Sequence, residues 1–386
     1  MKFRFLQLSD LHIGDRSSFC KRLQRYTEEV LKKGINIINE YKLDALFIAG
    51  DFFENNSIED EEIKFIFECL KGLQEIPVFI SPGNHEFYKG SLYDPNVLRL
   101  RDLGEWPINV KIFSKNNFEA FSLSDAVIYG RANTNREDRA FDHLPELNSE
   151  KINIAIFHGS RERNAPKDKE SWLPFTDEEL INSGFDYVAL GHYHDYAEIR
   201  DKDGNIRGAY SGSPLARTKD ETGNRGGLII EVIKEGDKAR VDTEYVILTD
   251  FQVKKESIYI EPNQDIFSLK NIMIRRMKEV RSLKDTYFIF EFEGMLEKIE
   301  IEDLEKLVEE LRKHCFDIEF KTINLHRNPL LEGFQSLKTT EGLFIQKMKE
   351  LIDRAQSDEE RKMYERALLY GLDAFKGKEI RPRYED

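Results

Sequence analysis

Three short apolar segments open the chain, ending at Leu8, at Ala49 and at Ile80, and each stops in a polar cluster. Ser9-Asp10-Leu11-His12 follows the first, Gly50-Asp51 the second and Gly83-Asn84-His85-Glu86 the third. Between them lie two stretches with helical recurrence of apolar residues, about Cys20 to Tyr41 and about Glu59 to Leu73. Strands joined by helical crossovers pair in parallel. Ligands of open α/β sheets bind outside the carboxyl ends of such strands. The pattern therefore predicts one rim on which the polar clusters converge. Two later strands, Ile154-Ala155-Ile156-Phe157 and Tyr187-Val188-Ala189-Leu190, end the same way, in His158-Gly159 and in Gly191-His192-Tyr193-His194.

Strands dominate from about Asn109 to Val246, interrupted by one helix near Asp177 to Ser183, so the expected architecture is α/β, two sheets packed together with helices outside. Near Thr249-Asp250 the pattern changes to β-α-β-α-β: strands at Ser257 to Glu261, Tyr287 to Phe292 and Ile318 to Lys321, helices at Asp265 to Val280 and Ile301 to His314. After Asn328-Pro329 apolar residues recur at helical spacing, and Ser357-Asp358-Glu359-Glu360 reads as a capping box opening a last helix. The expected division is 1–250, 251–330 and 331–386.

Composition excludes several classes. With 40% hydrophobic residues among 386, the chain can bury real cores and is not a disordered linker. No run approaches the roughly 20 apolar residues of a membrane span, and no signal-peptide core precedes the first strand, so an intracellular, cytoplasmic protein with no membrane partner is expected. Cys20, Cys69 and Cys315 are odd in number and far apart, which points to buried thiols rather than a disulfide framework. The net charge of −14 argues against whole-surface attraction to nucleic acid but not against a local basic channel.

Of eight histidines, His12, His85, His158, His192 and His194 follow strands, whereas His143, His314 and His326 do not. A single histidine there is more often structural than a ligand; five of them, with Asp10, Asp51 and Asn84, reverse that judgement. Carboxylates, imidazoles and an amide oxygen suit Mn²⁺, Fe²⁺ or Zn²⁺ better than Ca²⁺, and the lack of a thiolate argues against a structural zinc site. The donors are too many for one ion with an open position and right for two sharing an anionic bridge. Two such ions stabilise attacking and leaving oxygens in displacement at phosphorus.

Asp10-x-His12, Gly50-Asp51, Gly83-Asn84-His85-Glu86, His158 and Gly191-His192-x-His194 occur in the order of the calcineurin-like metallophosphoesterase superfamily, which the sequence closely resembles. The resemblance implies an α/β/β/α two-sheet sandwich. It also implies that Asp10, His12, Asp51 and His194 hold one metal ion and Asp51, Asn84, His158 and His192 the other, most simply both Mn²⁺. His85 matches the family's catalytic histidine, which contacts phosphate and helps protonate the leaving oxygen. After Gly50-Asp51 the chain reads Phe52-Phe53-Glu54 and lacks the Asp-Arg-Gly of the Ser/Thr protein phosphatases.

Ser9 to Gly14, Ala189 to His194, Tyr210-Ser211-Gly212-Ser213-Pro214 and Glu221 to Val232 together resemble the DNA double-strand-break repair exonucleases, the bacterial SbcD type and its archaeal and eukaryotic counterpart, meiotic recombination eleven. That likeness covers about residues 1 to 330. It implies a nuclease domain (1–250), a small α+β DNA-binding capping domain (251–330) and C-terminal helices (331–386) gripping the coiled coil of an SMC-like ABC ATPase. It further implies 3′ to 5′ exonuclease and single-strand endonuclease activity at DNA ends, on the nucleoid, and a homodimer for which the helices at Glu59 to Leu73 and Pro95 to Leu103 are candidates. The alternatives are a small-molecule phosphodiesterase of the same superfamily and a DNA-end scaffold with little nuclease activity. The charged stretch 159–170 and the basic tail 376–386 receive no role, and no DNA-contacting residue is assigned.

Overall fold

The structure is a computed structural model that describes residues 1–134, 138–162, 171–327, 339–375 and 377. It divides into two compact units, the first spanning Met1–Gln252 and the second beginning at Val253.

In the first unit, two six-stranded sheets are built on the crossovers that the sequence pattern anticipates. One runs in the order β12 (Lys238–Ile247), β11 (Gly226–Glu235), β1 (Lys2–Leu8), β2 (Ala45–Ile48), β3 (Val78–Ile80), β4 (Val110–Ile112). The other runs β5 (Glu119–Ser122), β6 (Ala126–Gly130), β7 (Ile152–His158), β8 (Tyr187–Gly191), β10 (Ile206–Tyr210), β9 (Ala197–Arg200). β1 to β4 are mutually parallel, as are β6, β7, β8 and β10, so the carboxyl ends within each set share one edge. β11 pairs with β1 antiparallel.

Alternation along the strands sorts side chains between two layers. Phe5, Phe47 and Phe79 from the first sheet meet Ile128, Ile154, Ile156 and Ala189 from the second in one fully buried cluster, with the Phe5 and Phe47 rings stacked at 4.1 Å. Each such side chain removed from water contributes about 1.5–3 kcal/mol. The alternate residues Ala155, Phe157, Val188 and Leu190 face Leu173, Phe175 and Leu180, the last on α4 (Asp177–Ile181). On the first sheet, α1 (Gln24–Tyr41) buries Tyr26, Val30, Leu31 and Ile38, and α2 (Asp60–Lys71) buries Ile63, Ile66, Phe67 and Leu70. A polar tie also joins the sheets: Gln7 donates to the Leu190 and Ala209 carbonyls at 3.2 and 2.8 Å and accepts from the Tyr187 hydroxyl at 2.7 Å. A six-residue helix, α3 (Leu98–Leu103), precedes β4.

The second unit carries a three-stranded sheet in the order β13 (Gln252–Ile260), β14 (Thr286–Leu296), β15 (Asp317–Arg327), with β14 and β15 parallel. Phe288, Phe290 and Phe292 pack beneath α5 (Ile266–Met277) and α6 (Ile301–Arg312). The terminal helices α7 (Thr340–Asp353) and α8 (Asp358–Phe375) are not a free-standing segment: Ile345, Met348, Ile352, Leu368 and Leu372 enclose Met295 of β14. A buried hydrogen bond, His326 Nε2 to Asp373 Oδ1 at 2.8 Å, ties β15 to α8. The Ser357 hydroxyl accepts from the Glu360 amide, but Glu360 returns its carboxylate to the Gln356 amide rather than to Ser357, so the expected capping box is half formed.

Among the cysteines only Cys20 is buried; Cys69 and Cys315 are half-buried, and all three are free. Among the described residues no helix is long and apolar enough to cross a membrane. Residues 163–170 of the charged stretch, and residues 376 and 378–386 of the basic tail, lie outside the described residues. Arg161, within the first of these, is taken up by Asp177, with Nε to Oδ1 at 2.5 Å.

Candidate metal centre

At the carboxyl edge of the parallel strands the backbone departs from ordinary geometry. Asp10, His12, Asp51 and His192 all have positive φ, at 54, 46, 50 and 114°. For residues with a Cβ this costs on the order of 1–3 kcal/mol each, and such residues persist where the surrounding fold forces them. Among the described residues, four of the seven non-glycine positions with positive φ fall on the predicted donors. Close approach of the strand ends enforces the rest. A Cβ on Gly191 would stand 1.8 Å from the Ala49 carbonyl oxygen, and one on Gly83 would stand 2.2 Å from Asp51 Oδ1.

The strand ends bring together all eight predicted residues. Asp51 Oδ2 is the hub, 3.6 Å from His12 Nε2, 3.3 Å from His158 Nε2 and 3.9 Å from His85 Nε2. On one side of it stand His12, Asp10 and His194, with His194 Nε2 3.9 Å from Asp10 Oδ1. On the other, His158 Nε2 lies 3.1 Å from Asn84 Oδ1 and 3.3 Å from His192 Nδ1. The remaining histidines stand elsewhere, His143 and His314 exposed and His326 in the second unit.

Whether cations fit is decided by what the donors lack. Asp10 Oδ1 and His12 Nε2 are buried without a hydrogen-bond partner, although Asp10 is fully buried and His12 is 4% exposed. Buried polar atoms are satisfied in folded proteins with few exceptions, and a cation held among Asp10, His12 and His194 satisfies both. Two carboxylates, four imidazoles and an amide oxygen, with the Asp51 oxygen between two clusters, fit a pair of divalent ions.

Three features around the donors escape the strand-end pattern, and a fourth residue, Glu86 of the third polar cluster, has a part that the pattern does not give. Glu54 accepts from His12 Nδ1 at 2.7 Å through Oε1 and from His85 Nδ1 at 3.0 Å through Oε2. Glu221 holds His194 Nδ1 at 2.8 Å, and the Ala49 carbonyl holds His158 Nδ1 at 3.0 Å. Each of His12, His158 and His194 is thereby left with Nε2 aimed at the centre, the tautomer a metal ligand needs. Glu86 is wholly buried and accepts from the Phe52 and Gly83 amides at 2.9 and 3.3 Å, clamping the Asp51 and Asn84 loops together.

Electrostatics follow from this packing. Burial works against a charged Glu54, but its bonds from His12 and His85 draw it down to about 2. The same bond to Glu54 raises His85. For His158 burial disfavours the charged form, yet the Asp51 charge and hydrogen bond outweigh it and hold the imidazole at about 9. Burial, with the adjacent His158 adding to it, pushes His192 down to about 4. Burial and the nearby Asp51 charge push Glu86 well above the carboxylate range. His85 stands apart from the donors in exposure, its side chain 42% open to solvent at the mouth of the cluster. An exposed imidazole poised with its proton beside a buried anionic donor cluster suits transfer of a proton to an oxygen leaving phosphorus.

A family model described as calcineurin-like phosphoesterase matches residues 3–196. The chain is 25% identical over 286 residues to the uncharacterised metallophosphoesterase YhaO of Bacillus subtilis, covering 69% of this chain and 64% of that protein. It is 26% identical over 296 residues to the DNA double-strand break repair protein Mre11 of Methanococcus maripaludis, covering 72% and 76%. It is 24% identical over 267 residues to a component of the nuclease SbcCD of Bacillus subtilis, covering 61% and 68%.

Proposed function

The chain belongs to the calcineurin-like phosphoesterase family, and from that premise we propose that it is a metal-dependent DNA nuclease of double-strand-break repair. It hydrolyses phosphodiester bonds at DNA ends, 3′ to 5′ and within single strands, in complex with an SMC-like coiled-coil ABC ATPase. The observation that carries this reading is the Asp51 Oδ2 hub, with donor sets on both sides and Asp10 Oδ1 and His12 Nε2 left without partners. Relatives named as a repair protein and as part of a nuclease support the choice of DNA.

In this reading Asp10, His12, Asp51 and His194 would hold one divalent cation and Asp51, Asn84, His158 and His192 the second, with Asp51 common to both sets. Such a pair, best matched by Mn²⁺, supplies Lewis acidity at the phosphoryl oxygens and lowers the pKa of the attacking water. The protein's own part is positioning and proton transfer. Glu54 and Glu221 fix imidazole orientation. His85 offers its Nε2 proton to the departing 3′-oxygen while Glu54 keeps the Nδ1 proton. The segment 251–330 corresponds to the DNA-selecting capping domain that the resemblance implies, and the helices within 331–386 take the ATPase; Leu343 and Met363, each 55% exposed, supply apolar surface for that contact. Leu98, 67% exposed on α3, supports a homodimer through α2 and α3. An intracellular, nucleoid-associated protein completes the proposal.

The test incubates the purified chain with end-labelled duplex and single-stranded DNA in Mn²⁺, Mg²⁺ or EDTA, beside His85→Ala. Mn²⁺-dependent cleavage that the variant loses is expected. Hydrolysis of small phosphodiesters with no cleavage of either DNA would overturn the choice of substrate. Tight end binding without turnover would overturn the enzyme.

A further inference from the structure

In front of the donors lies a cavity of about 600 Å³, far larger than one phosphate needs. Beyond the donors its wall is made by two short segments, Ser17-Ser18-Phe19 and Arg217-Thr218-Lys219. These segments are stitched to each other and to the centre. Arg217 pairs with Asp15, its Nη1 donates to the His12 carbonyl at 3.2 Å, and its amide donates to Glu221 at 2.7 Å. Cys20 Sγ reaches the Arg217 carbonyl at 3.3 Å, and the Ser17 amide donates to Asp15 at 2.7 Å. Phe19 is held edge-on against Phe251, ring centroids 6.2 Å apart. The wall is thus preorganised, which lowers what a ligand must spend on ordering it.

The Arg217 charge is engaged by Asp15 and by Glu54 at 3.6 Å. The rest of the wall is lined by an aromatic residue, Phe19, by the hydroxyl-bearing Ser17, Ser18 and Thr218 and by the cationic Lys219, adjoining a site for one phosphate. A flat ring, a sugar and a second phosphate are the chemical complement of that set, and aromatic faces with interleaved cations are how single strands are gripped without sequence preference. We propose that this wall is a nucleotide subsite: Phe19 stacks on the base adjoining the scissile phosphate, and Lys219 pairs with the next phosphate of the same strand. The inference rests on the phosphodiesterase reading of the centre and names the unit its substrate carries.

Two esters with the same leaving group isolate the subsite: the p-nitrophenyl ester of thymidine 5′-monophosphate, and methyl p-nitrophenyl phosphate, which has no nucleoside. The wild-type chain with Mn²⁺ is expected to prefer the first. Phe19→Ala lowers that preference, as a ratio of kcat/KM values, at least fivefold, the lower end of what one stacked base contributes, and Phe19→Trp restores it. An unchanged ratio in Phe19→Ala overturns the proposal. Binding read without turnover, in EDTA, uses oligothymidylate carrying one 2-aminopurine. The wild-type chain quenches its fluorescence and Phe19→Ala does not, and Lys219→Gln lowers the slope of log affinity against log salt by about 0.7. Absence of quenching by the wild-type chain overturns the subsite even if both esters are hydrolysed. Hydrolysis of neither ester, with quenching intact, overturns the phosphodiesterase reading and leaves the subsite standing. Quenching by the free nucleotide but not by the oligonucleotide would replace the strand with a mononucleotide as the ligand, against the proposal.

Discussion

Glu54→Gln separates the positioning of the proton donor from the holding of cations. The carboxylate bridges His12 Nδ1 and His85 Nδ1 at 2.7 and 3.0 Å. Its fall from an ordinary 4.5 to about 2 corresponds to at most about 3 kcal/mol favouring the ionised form. With 21% of the side chain open to solvent, screening reduces this to about 1.5 kcal/mol, or roughly tenfold in an equilibrium. Glutamine keeps one acceptor oxygen but can serve only one of the two imidazoles as acceptor, so the other loses its tautomer. Loss of an outer partner of this kind costs about 10- to 100-fold in activity or metal affinity. We therefore expect kcat/KM for Mn²⁺-dependent DNA cleavage to fall 10- to 100-fold. The loss on a p-nitrophenyl ester should be smaller, because that leaving group needs little protonation. The pH profile carries the same information: His85 acts as an acid only when protonated, and Glu54 raises it, so in the variant the alkaline limb of kcat moves to lower pH. DNA cleavage within twofold of wild type would refute the reasoning, and equal losses on DNA and aryl ester would refute the role of Glu54 at His85.

Loading the centre should release a proton. Metal ligation needs a neutral imidazole, and with His158 held at about 9 its proton competes with the cation at all lower pH, whereas His192 at about 4 is already neutral. Calorimetric titration of Mn²⁺ at pH 7 in two buffers of different ionisation enthalpy should show proton release, from His158 and from His194, which, against burial, its bond to Glu221 and the Asp10 charge also raise, and zero would contradict the assignment. Gly191→Ala brings a Cβ against the Ala49 carbonyl at 1.8 Å, backbone against backbone; we expect a loss of about 1–3 kcal/mol in urea denaturation, and an unshifted midpoint would show that β2 and β8 can part. In the second unit, Asp373→Ala removes the buried 2.8 Å hydrogen bond to His326 and should destabilise that unit by about 1–3 kcal/mol, read as a lower midpoint for its unfolding transition in the full chain.

The donors are legible in the sequence because each sits directly after an apolar strand, where hydrophobicity stops abruptly. Parallel topology then brings distant stretches to one edge. Their orienting partners are not legible in the same way. Glu54 lies three residues past Asp51 in a loop with no periodicity, and in the sequence it registers only as a departure from the phosphatase motif. Glu221 belongs to a stretch that carries family likeness but no chemical label, and the hold on His158 is a backbone carbonyl, which no side-chain pattern reveals. The first unit closes at Gln252, two residues from the expected change of pattern. Periodicity alone does not show that Met295 of β14 lies in the core of the terminal helices, since an amphipathic face does not name what it packs against. A short element such as β9 falls below the length at which a period can be recognised.

The pairing of β1 with β11 bears on the order in which the molecule can be made. β1 has β2, Ala45–Ile48, as one neighbour, but its other neighbour spans Gly226–Glu235 and is made far later. The last donor, His194, and the carboxylate that orients it, Glu221, also come late. Asp10, His12, Asp51, Asn84, His158 and His192 are all made before His194, so an ion that arrives during synthesis meets a growing set of donors, and the carboxylate that orients the last of them, Glu221, is the final part of the site to appear.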